Sequence, residues 1–181
     1  MSRAVRRVVT GHDAAGKAVF ASDSLVEPVL TALSAGTAFH QLWGADVAPS
    51  FPDDGGRPEA STYFPPIGGF RFGMFTLPPA NETGPAGDVD IAAEIAKLGA
   101  ALPGLLSYNE PDAPGMHTTP TIDFEVVLSG EVTLELDDGA TVHLAPGDTV
   151  VQNGTRHRWG NPGTEPATLA VFICGANHTA C

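Results

Sequence analysis

Short runs of alternating apolar and polar residues recur along this chain, a pattern typical of β-strands with one buried face. In the run TIDFEVVLSG (121–130), Ile122, Phe124, Val126 and Leu128 share one face. Turns rich in Gly, Pro and Asn separate the runs. The other runs are a hairpin at 5–22 around the turn DAAGK and segments at 36–46, 70–77, 131–139, 140–148, 149–161 and 167–175. This spacing predicts an all-β protein built as a closed or double-sheet antiparallel barrel.

Two segments break the strand pattern. DVDIAAEIAKLG (88–99) places Ile91, Ile95 and Leu98 at helical spacing. It predicts a short helix with Asp88 as its N-cap and Gly99 at its end. The stretch 48–69 is dense in Pro and Gly, so we expect it to be an irregular loop.

Composition limits the classes of function. The 181 residues, 43% hydrophobic and 17% charged, suit one globular domain. Nine Lys and Arg against 21 Asp and Glu give a net charge of −12, which argues against a nucleic-acid partner. The N-terminus lacks the apolar core of a signal peptide, and no apolar run has the length of a membrane span. Because only two cysteines, Cys174 and Cys181, are present, we expect no disulfide framework and a reducing, cytoplasmic location. Because no apolar run is long enough to span a membrane, we expect no membrane partner.

The second face of the 121–130 run is acidic. Thr121, Asp123, Glu125 and Val127 alternate with the apolar residues, which must be buried. The acidic face therefore borders either solvent or a polar pocket inside a barrel. Alternation alone does not choose between these two environments.

Two histidines lie near this strand in the predicted sheet. His117 precedes it, and QNGTRHRWGN (152–161) places His157 and Trp159 on one face of another strand. Two histidines and a carboxylate on neighbouring strands are the ingredients of a facial triad for a divalent metal.

These segments resemble the two motifs of the cupin superfamily. In HTTPTIDFEVVLSG, His117 matches the first motif histidine, Asp123 the acidic position and Gly130 the closing glycine. In GTRHRWGN, Gly154, His157 and Asn161 match the second motif. The chain resembles a small single-domain cupin with an HxT variant of the first motif.

The resemblance implies an all-β jelly-roll (double-stranded β-helix) barrel at residues 68–176, with a helical insertion at about 88–99. Residues 1–67 would form a β-rich N-terminal arm of the same domain, and 177–181 a C-terminal tail. Such arms often help cupins to dimerise, so a homodimer is expected.

The resemblance also implies a ligand set for a divalent metal: His117, Asp123 and His157, holding Fe, Mn, Ni or Zn. This sequence departs from the family pattern, because Thr119 replaces the second histidine and Gln152 replaces the usual Pro. A pocket without metal is therefore equally open. The remaining residues predicted to contact substrate are Thr119, Gln152, Trp159, Phe72 and Met74.

The family pattern does not explain Glu125. Two adjacent carboxylates repel, which raises the pKa of one of them toward the range useful for acid–base chemistry. Glu125 is therefore the candidate catalytic residue. The alternative is that a β-bulge turns Glu125 toward solvent.

Three functions follow from the resemblance. The first is a metal-assisted enzyme acting on a small carbonyl, aromatic or polyketide-like compound, as an oxygenase or as an isomerase, dehydratase or cyclase. The second is a metal-free acid–base enzyme using Glu125, and the third is a non-catalytic cupin that binds a small molecule.

Overall fold

A computed structural model describes residues 3–85 and 87–179; Cys181 and the end of the predicted tail lie outside this range. Strands dominate the described residues, which confirms the all-β prediction. The strands are β1 Val5–His12, β2 Ala18–Val26, β3 Val29–Leu30, β4 Ala38–Ala45, β5 Phe70–Leu77, β6 Thr121–Ser129, β7 Val132–Glu135, β8 Thr141–Leu144, β9 Thr149–Gln152, β10 Arg158–Gly160 and β11 Ala167–Gly175. The helix α1 spans Ile91–Ala101, and short 3-10 turns lie at Ala80–Glu82, Leu105–Tyr108 and Asp137–Gly139.

Two antiparallel sheets form the body of the protein. The larger sheet has the order β3-β4-β5-β11-β6-β9, and the smaller has the order β10-β7-β8. From β6 onward the chain passes repeatedly between the sheets, which is the winding of a jelly roll. The hairpin β1-β2 forms a separate ribbon, whereas β3 and β4 of the predicted arm join the larger sheet.

The hydrophobic core lies between the two sheets. Val127 and Leu169 from the larger sheet pack with Val132 from the smaller one, and all three are almost completely buried. Phe75 and Trp159 pack against this cluster from opposite sheets. The core therefore joins the sheets at one end of the barrel.

A glycine is required at the turn between β6 and β7. Gly130 has φ 71°, in the left-handed region that favours glycine. A Cβ on Gly130 would lie 2.6 Å from the Ala167 Cα, so no larger residue fits. This turn fixes the end of the strand that carries Asp123 and Glu125.

The helix differs in its bounds from the prediction of 88–99. Its N-cap is Asp90, not Asp88, because the Asp90 carboxylate accepts a hydrogen bond from the Ala93 amide at 3.1 Å. The helix also continues past Gly99 to Ala101, and the Leu102 amide donates to the Leu98 carbonyl oxygen at 2.7 Å. No helix among residues 3–85 and 87–179 is long and apolar enough to cross a membrane.

Candidate functional site

Two carboxyl groups lie side by side on the interior face of β6. Asp123 and Glu125 are only 5% and 4% exposed. Their register partners on β11 are Ile173 and Val171, which are also buried. The irregularity in this pairing lies beyond Val127, so no bulge separates the two carboxyl groups. The acidic face therefore borders the interior. The expectation that the apolar set of this strand is buried is wrong, because it lies on the outer face, where Phe124 and Leu128 are 45% and 47% exposed.

One oxygen of each carboxyl group has no hydrogen-bond partner within the described part of the chain. Asp123 Oδ1 and Glu125 Oε2 are both buried and unpaired. A buried polar atom without a partner is unfavourable by about 1–3 kcal/mol, so native structures rarely keep one without a functional reason. These oxygens point to a site that binds a proton or a ligand.

The same burial favours the protonated forms of both groups. Desolvation raises the pKa of Glu125 to about 8, and the charge of Asp123 acts in the same direction. Desolvation also raises the pKa of Asp123 to about 6, while the Thr121 hydroxyl opposes this shift. Because the groups are coupled, the pair holds one proton near neutral pH and can both accept and donate.

The two motif histidines meet at a separate point of the barrel. His117 and His157 form an antiparallel bridge, with each backbone amide donating to the other residue's carbonyl oxygen at 3.0 Å. Their ring centroids are 4.2 Å apart. The structure thus brings together two of the three predicted metal ligands.

Each motif histidine directs its Nδ1 toward a backbone carbonyl. His117 Nδ1 lies 3.0 Å from the Gly115 oxygen, and His157 Nδ1 lies 2.9 Å from the Thr155 oxygen and 2.5 Å from the Gln152 amide nitrogen. Burial lowers the pKa of His117, and burial together with His117 lowers the pKa of His157 to about 4. Both rings are therefore neutral near pH 7, and each neutral imidazole has one ring nitrogen with a lone pair.

The predicted substrate contacts Thr119 and Gln152 lie between the carboxyl pair and the histidines. Gln152 is the register partner of Asp123, and its side-chain amide lies 2.5 Å from His157 Nδ1. The buried Thr119 hydroxyl is 2.8 Å from the Thr121 hydroxyl. Both polar side chains are thus committed to contacts within the protein.

The predicted metal site is only partly assembled. The two imidazoles suit a divalent ion, but among residues 3–85 and 87–179 no three His, Cys, Asp or Glu side chains converge closely enough to hold one. Stable sites of this type generally need at least three protein ligands. The assignment of His117, Asp123 and His157 as metal ligands therefore stays a prediction.

The aromatic and sulfur side chains predicted to contact substrate have different placements. Trp159 packs on the core and meets the His157 ring edge-on, with centroids 6.3 Å apart. Phe72 and Met74 lie on the outer face of the larger sheet, where Phe72 is 43% exposed. Both therefore lie outside the barrel interior, where β5 presents Phe75. Phe72 nevertheless borders the cavity between the 48–69 loop and the larger sheet, so the assignment of these residues as substrate contacts stays a prediction. The sequence did not separate the two faces, since both are apolar.

Tyr63 is a site residue that the sequence did not identify. It lies in the irregular 48–69 loop, and its ring packs edge-on against Phe39 at 5.9 Å and Phe64 at 5.0 Å. Burial and the charges of Asp123 and Glu125 raise the pKa of its hydroxyl. No periodicity marks this residue, and the only sequence signal is an aromatic side chain inside a Pro-rich loop.

Comparison with known proteins places the chain in a family. The Cupin domain model matches residues 106–174. Phomopsin biosynthesis cluster protein C' from Diaporthe leptostromiformis is 30% identical over 94% of this chain and 78% of its own length. The cupin-domain-containing oxidoreductase fogC from Aspergillus ruber is 28% identical over 98% of this chain and 75% of its own length.

Two further matches are more limited. Oryzines biosynthesis cluster protein J from Aspergillus oryzae is 37% identical, but the match spans 41% of this chain and 42% of that protein. The crystal structure of an RmlC-like cupin family protein with a double-stranded β-helix fold, from Methanocaldococcus jannaschii, covers 59% of this chain and 70% of its own, with 13% identity and a TM-score of 0.37. The sequence motifs, the jelly-roll winding, the Cupin domain model and the phomopsin-cluster relative agree: the chain belongs to the cupin superfamily.

Proposed function

We propose that this cupin is a small-molecule enzyme that relocates a proton on a carbonyl compound. The observation that carries the proposal is the buried pair Asp123 and Glu125, with one unpaired oxygen on each side chain. Near neutral pH, Asp123 is the ionised member and Glu125 the protonated one. The site therefore combines a general base with a general acid on one strand face.

The chemistry balances without an oxidant or a metal. The Asp123 carboxylate removes a proton from the carbon next to the carbonyl group. The electrons of that C–H bond form a carbon–carbon double bond, and the carbonyl π electrons move to its oxygen. Glu125 gives a proton to that oxygen, which yields the enol isomer. If a further carbon–carbon double bond is conjugated with the enolate, the carbonyl re-forms, the double bond shifts and its far carbon takes the proton instead. Return of the proton from Asp123 to Glu125 restores the pair. If Glu125 instead protonates a departing hydroxyl group, the same site performs a dehydration.

The relatives support a role in small-molecule biosynthesis. Two of them are named as phomopsin and oryzines biosynthesis cluster proteins, and a third is named as an oxidoreductase. The carboxyl pair favours proton transfer as the reaction of this chain, because it needs no redox partner.

The two histidines support a second candidate, a metal-assisted enzyme. His117 and His157 each direct Nδ1 to a backbone carbonyl, the arrangement that usually orients metal-bound histidine. A divalent ion at this pair would supply Lewis-acid chemistry. This candidate requires a third ligand beyond the two histidines.

Deuterium exchange tests the proposal without knowledge of the product. The protein is incubated in D₂O with acetophenone, cyclohexanone or 1,3-cyclohexanedione, and loss of the proton signal next to the carbonyl group is followed by NMR. We expect exchange faster than in buffer, loss of the enhancement in Asp123→Asn and Glu125→Gln, and unchanged rates in the exposed control Glu131→Gln.

Metal analysis separates the candidates. Under the proton-transfer proposal, exchange persists in EDTA. Near-stoichiometric metal that is lost in His157→Ala, with exchange abolished by EDTA, would favour the metal-assisted enzyme. Ligand-induced thermal stabilisation without exchange for any ketone would favour a non-catalytic binding protein.

A further inference from the structure

A cavity of about 150 Å³ lies between the 48–69 loop and the larger sheet. Gln41, Gly73, Val171 and Ile173 form its sheet side, and Tyr63 forms part of its loop side. Exposed residues at its rim, including Ala101 at the end of α1, leave it open to the surface. The cavity is therefore an entry path from solvent toward the barrel interior.

The cavity adjoins the carboxyl pair. Val171 and Ile173, which line it, are the direct register partners of Glu125 and Asp123 on the neighbouring strand. Side chains at such positions have Cβ atoms about 5 Å apart. A ligand lying against Val171 and Ile173 is therefore beside the strand that carries the carboxyl pair, although neither Asp123 nor Glu125 is itself a lining residue of the cavity.

Tyr63 is held rigidly at this cavity. Its backbone amide donates to the Pro103 carbonyl oxygen at 2.7 Å, and its ring is fixed by Phe39 and Phe64. The preceding residue is anchored as well, because Arg71 Nε donates to the Thr62 carbonyl oxygen at 2.8 Å. Within residues 3–85 and 87–179 the Tyr63 hydroxyl makes no hydrogen bond, so it can donate to a ligand in the cavity.

The volume of the cavity limits the ligand. A space of about 150 Å³ holds about one benzene molecule. A single six-membered ring with a small substituent therefore fits inside it, whereas a fused polycyclic compound would extend through the opening to the surface.

We propose that this cavity binds the substrate as a one-ring carbonyl compound and that the Tyr63 hydroxyl donates a hydrogen bond to the carbonyl oxygen. This inference rests on the proposed proton-transfer function and names its substrate class and a further catalytic residue. As the C–H bond breaks, negative charge collects on that oxygen, so a fixed donor lowers the barrier. The buried surroundings and the negative charge of the carboxyl pair keep the Tyr63 hydroxyl protonated, as a donor must be.

Acetophenone with a ¹³C label at the carbonyl tests this proposal. We expect the bound carbonyl resonance to move downfield, as it does when the oxygen accepts a hydrogen bond. Tyr63→Phe removes that movement and weakens binding about 3- to 10-fold, the effect of one neutral hydrogen bond. Tyr108→Phe is the matched control, since Tyr108 packs on Phe64 outside the cavity lining and should leave both readouts unchanged.

A second pair of variants tests the cavity itself. Ala101→Phe fills its rim and should weaken acetophenone binding at least tenfold, whereas Ala100→Phe, one position earlier on α1 and outside the lining, should not. Equal effects of the two alanine variants, or a downfield carbonyl that persists in Tyr63→Phe, would overturn the proposal.

These results are distinguishable from a failure of the proposed function. If Glu125→Gln abolishes deuterium exchange but Tyr63→Phe and Ala101→Phe leave its rate unchanged, the proton-transfer function stands and this cavity is not its site. If Tyr63→Phe and Ala101→Phe weaken acetophenone binding but the wild type catalyses no deuterium exchange, the ring-binding site stands and proton transfer is rejected.

Discussion

Replacing Glu125 with Gln tests the buried carboxyl pair directly, because the amide keeps the shape of the side chain and removes its ionisation. In the folded protein the pKa of Glu125 is raised from 4.5 to about 8. The folded state therefore holds this proton more tightly than the unfolded state, and the free energy of unfolding falls as pH rises between these values. At about 1.4 kcal/mol for each pKa unit, the full decrease is roughly 5 kcal/mol, of which roughly 3 kcal/mol is reached by pH 7.

Glu125→Gln lacks this decrease, so its stability relative to wild type should increase by about 3 kcal/mol between about pH 4 and about pH 7. Urea unfolding followed by tryptophan fluorescence across this range measures the difference. A difference in the free energy of unfolding that is the same at every pH reports the hydrogen bonding of the Gln amide. A difference that changes with pH reports the ionisation of Glu125. Glu131→Gln, on the exposed turn after β6, should show no such change. A difference for Glu125→Gln that stays flat across this range would refute the inference that burial keeps this carboxyl protonated.

Three other predictions concern the scaffold and its assembly. Arg71→Ala removes a largely buried ion pair with Asp46 and should lower the free energy of unfolding, measured in urea, by about 3–5 kcal/mol. The control Arg158→Ala removes a partly exposed pair with Glu135 and should change it by about 1 kcal/mol or less. Leu169→Ala opens a cavity in the fully buried core and should lower it by about 2–5 kcal/mol in the same assay. Phe172, 39% exposed on the outer face of the larger sheet, would be covered in the expected homodimer; Phe172→Glu should then give a monomer by light scattering, and a monomeric wild type would contradict the dimer.

The sequence predicted which residues share a face of a strand more reliably than which face is buried. Along β6 the division between Asp123 with Glu125 and the apolar set was right, because side chains alternate strictly in a strand without a bulge. The interior position of the acidic set follows from pairing with β11 and β9, which lie 25 or more residues away and leave no local signal. On β5 the outer face is as apolar as the inner one, so the sequence did not show that Phe72 and Met74 lie on the outer face.

Tyr63 shows a different limit of the sequence. Its position depends on the Arg71 contact to Thr62 and on the amide contact to Pro103, both of which join the loop to distant segments. A Pro- and Gly-rich loop has no hydrophobic period, so its backbone path is set by such anchors and not by local propensity. For the same reason, the sequence identified the carboxyl pair but not the cavity beside it.

The departures from the family pattern become consistent when the first-motif strand is considered as a proton-transfer site. Thr119 stands where a second histidine would provide a nitrogen ligand, and its hydroxyl contacts Thr121. The Thr121 hydroxyl in turn lowers the pKa of Asp123, which helps to keep this carboxyl ionised beside the protonated Glu125. A metal ion bound to Asp123 would not need this support, because its charge alone would hold the carboxylate ionised. Thr119 in place of a nitrogen donor and Glu125 as a second buried carboxyl are therefore both consistent with the proposed proton transfer, in which two unequal acids share one proton.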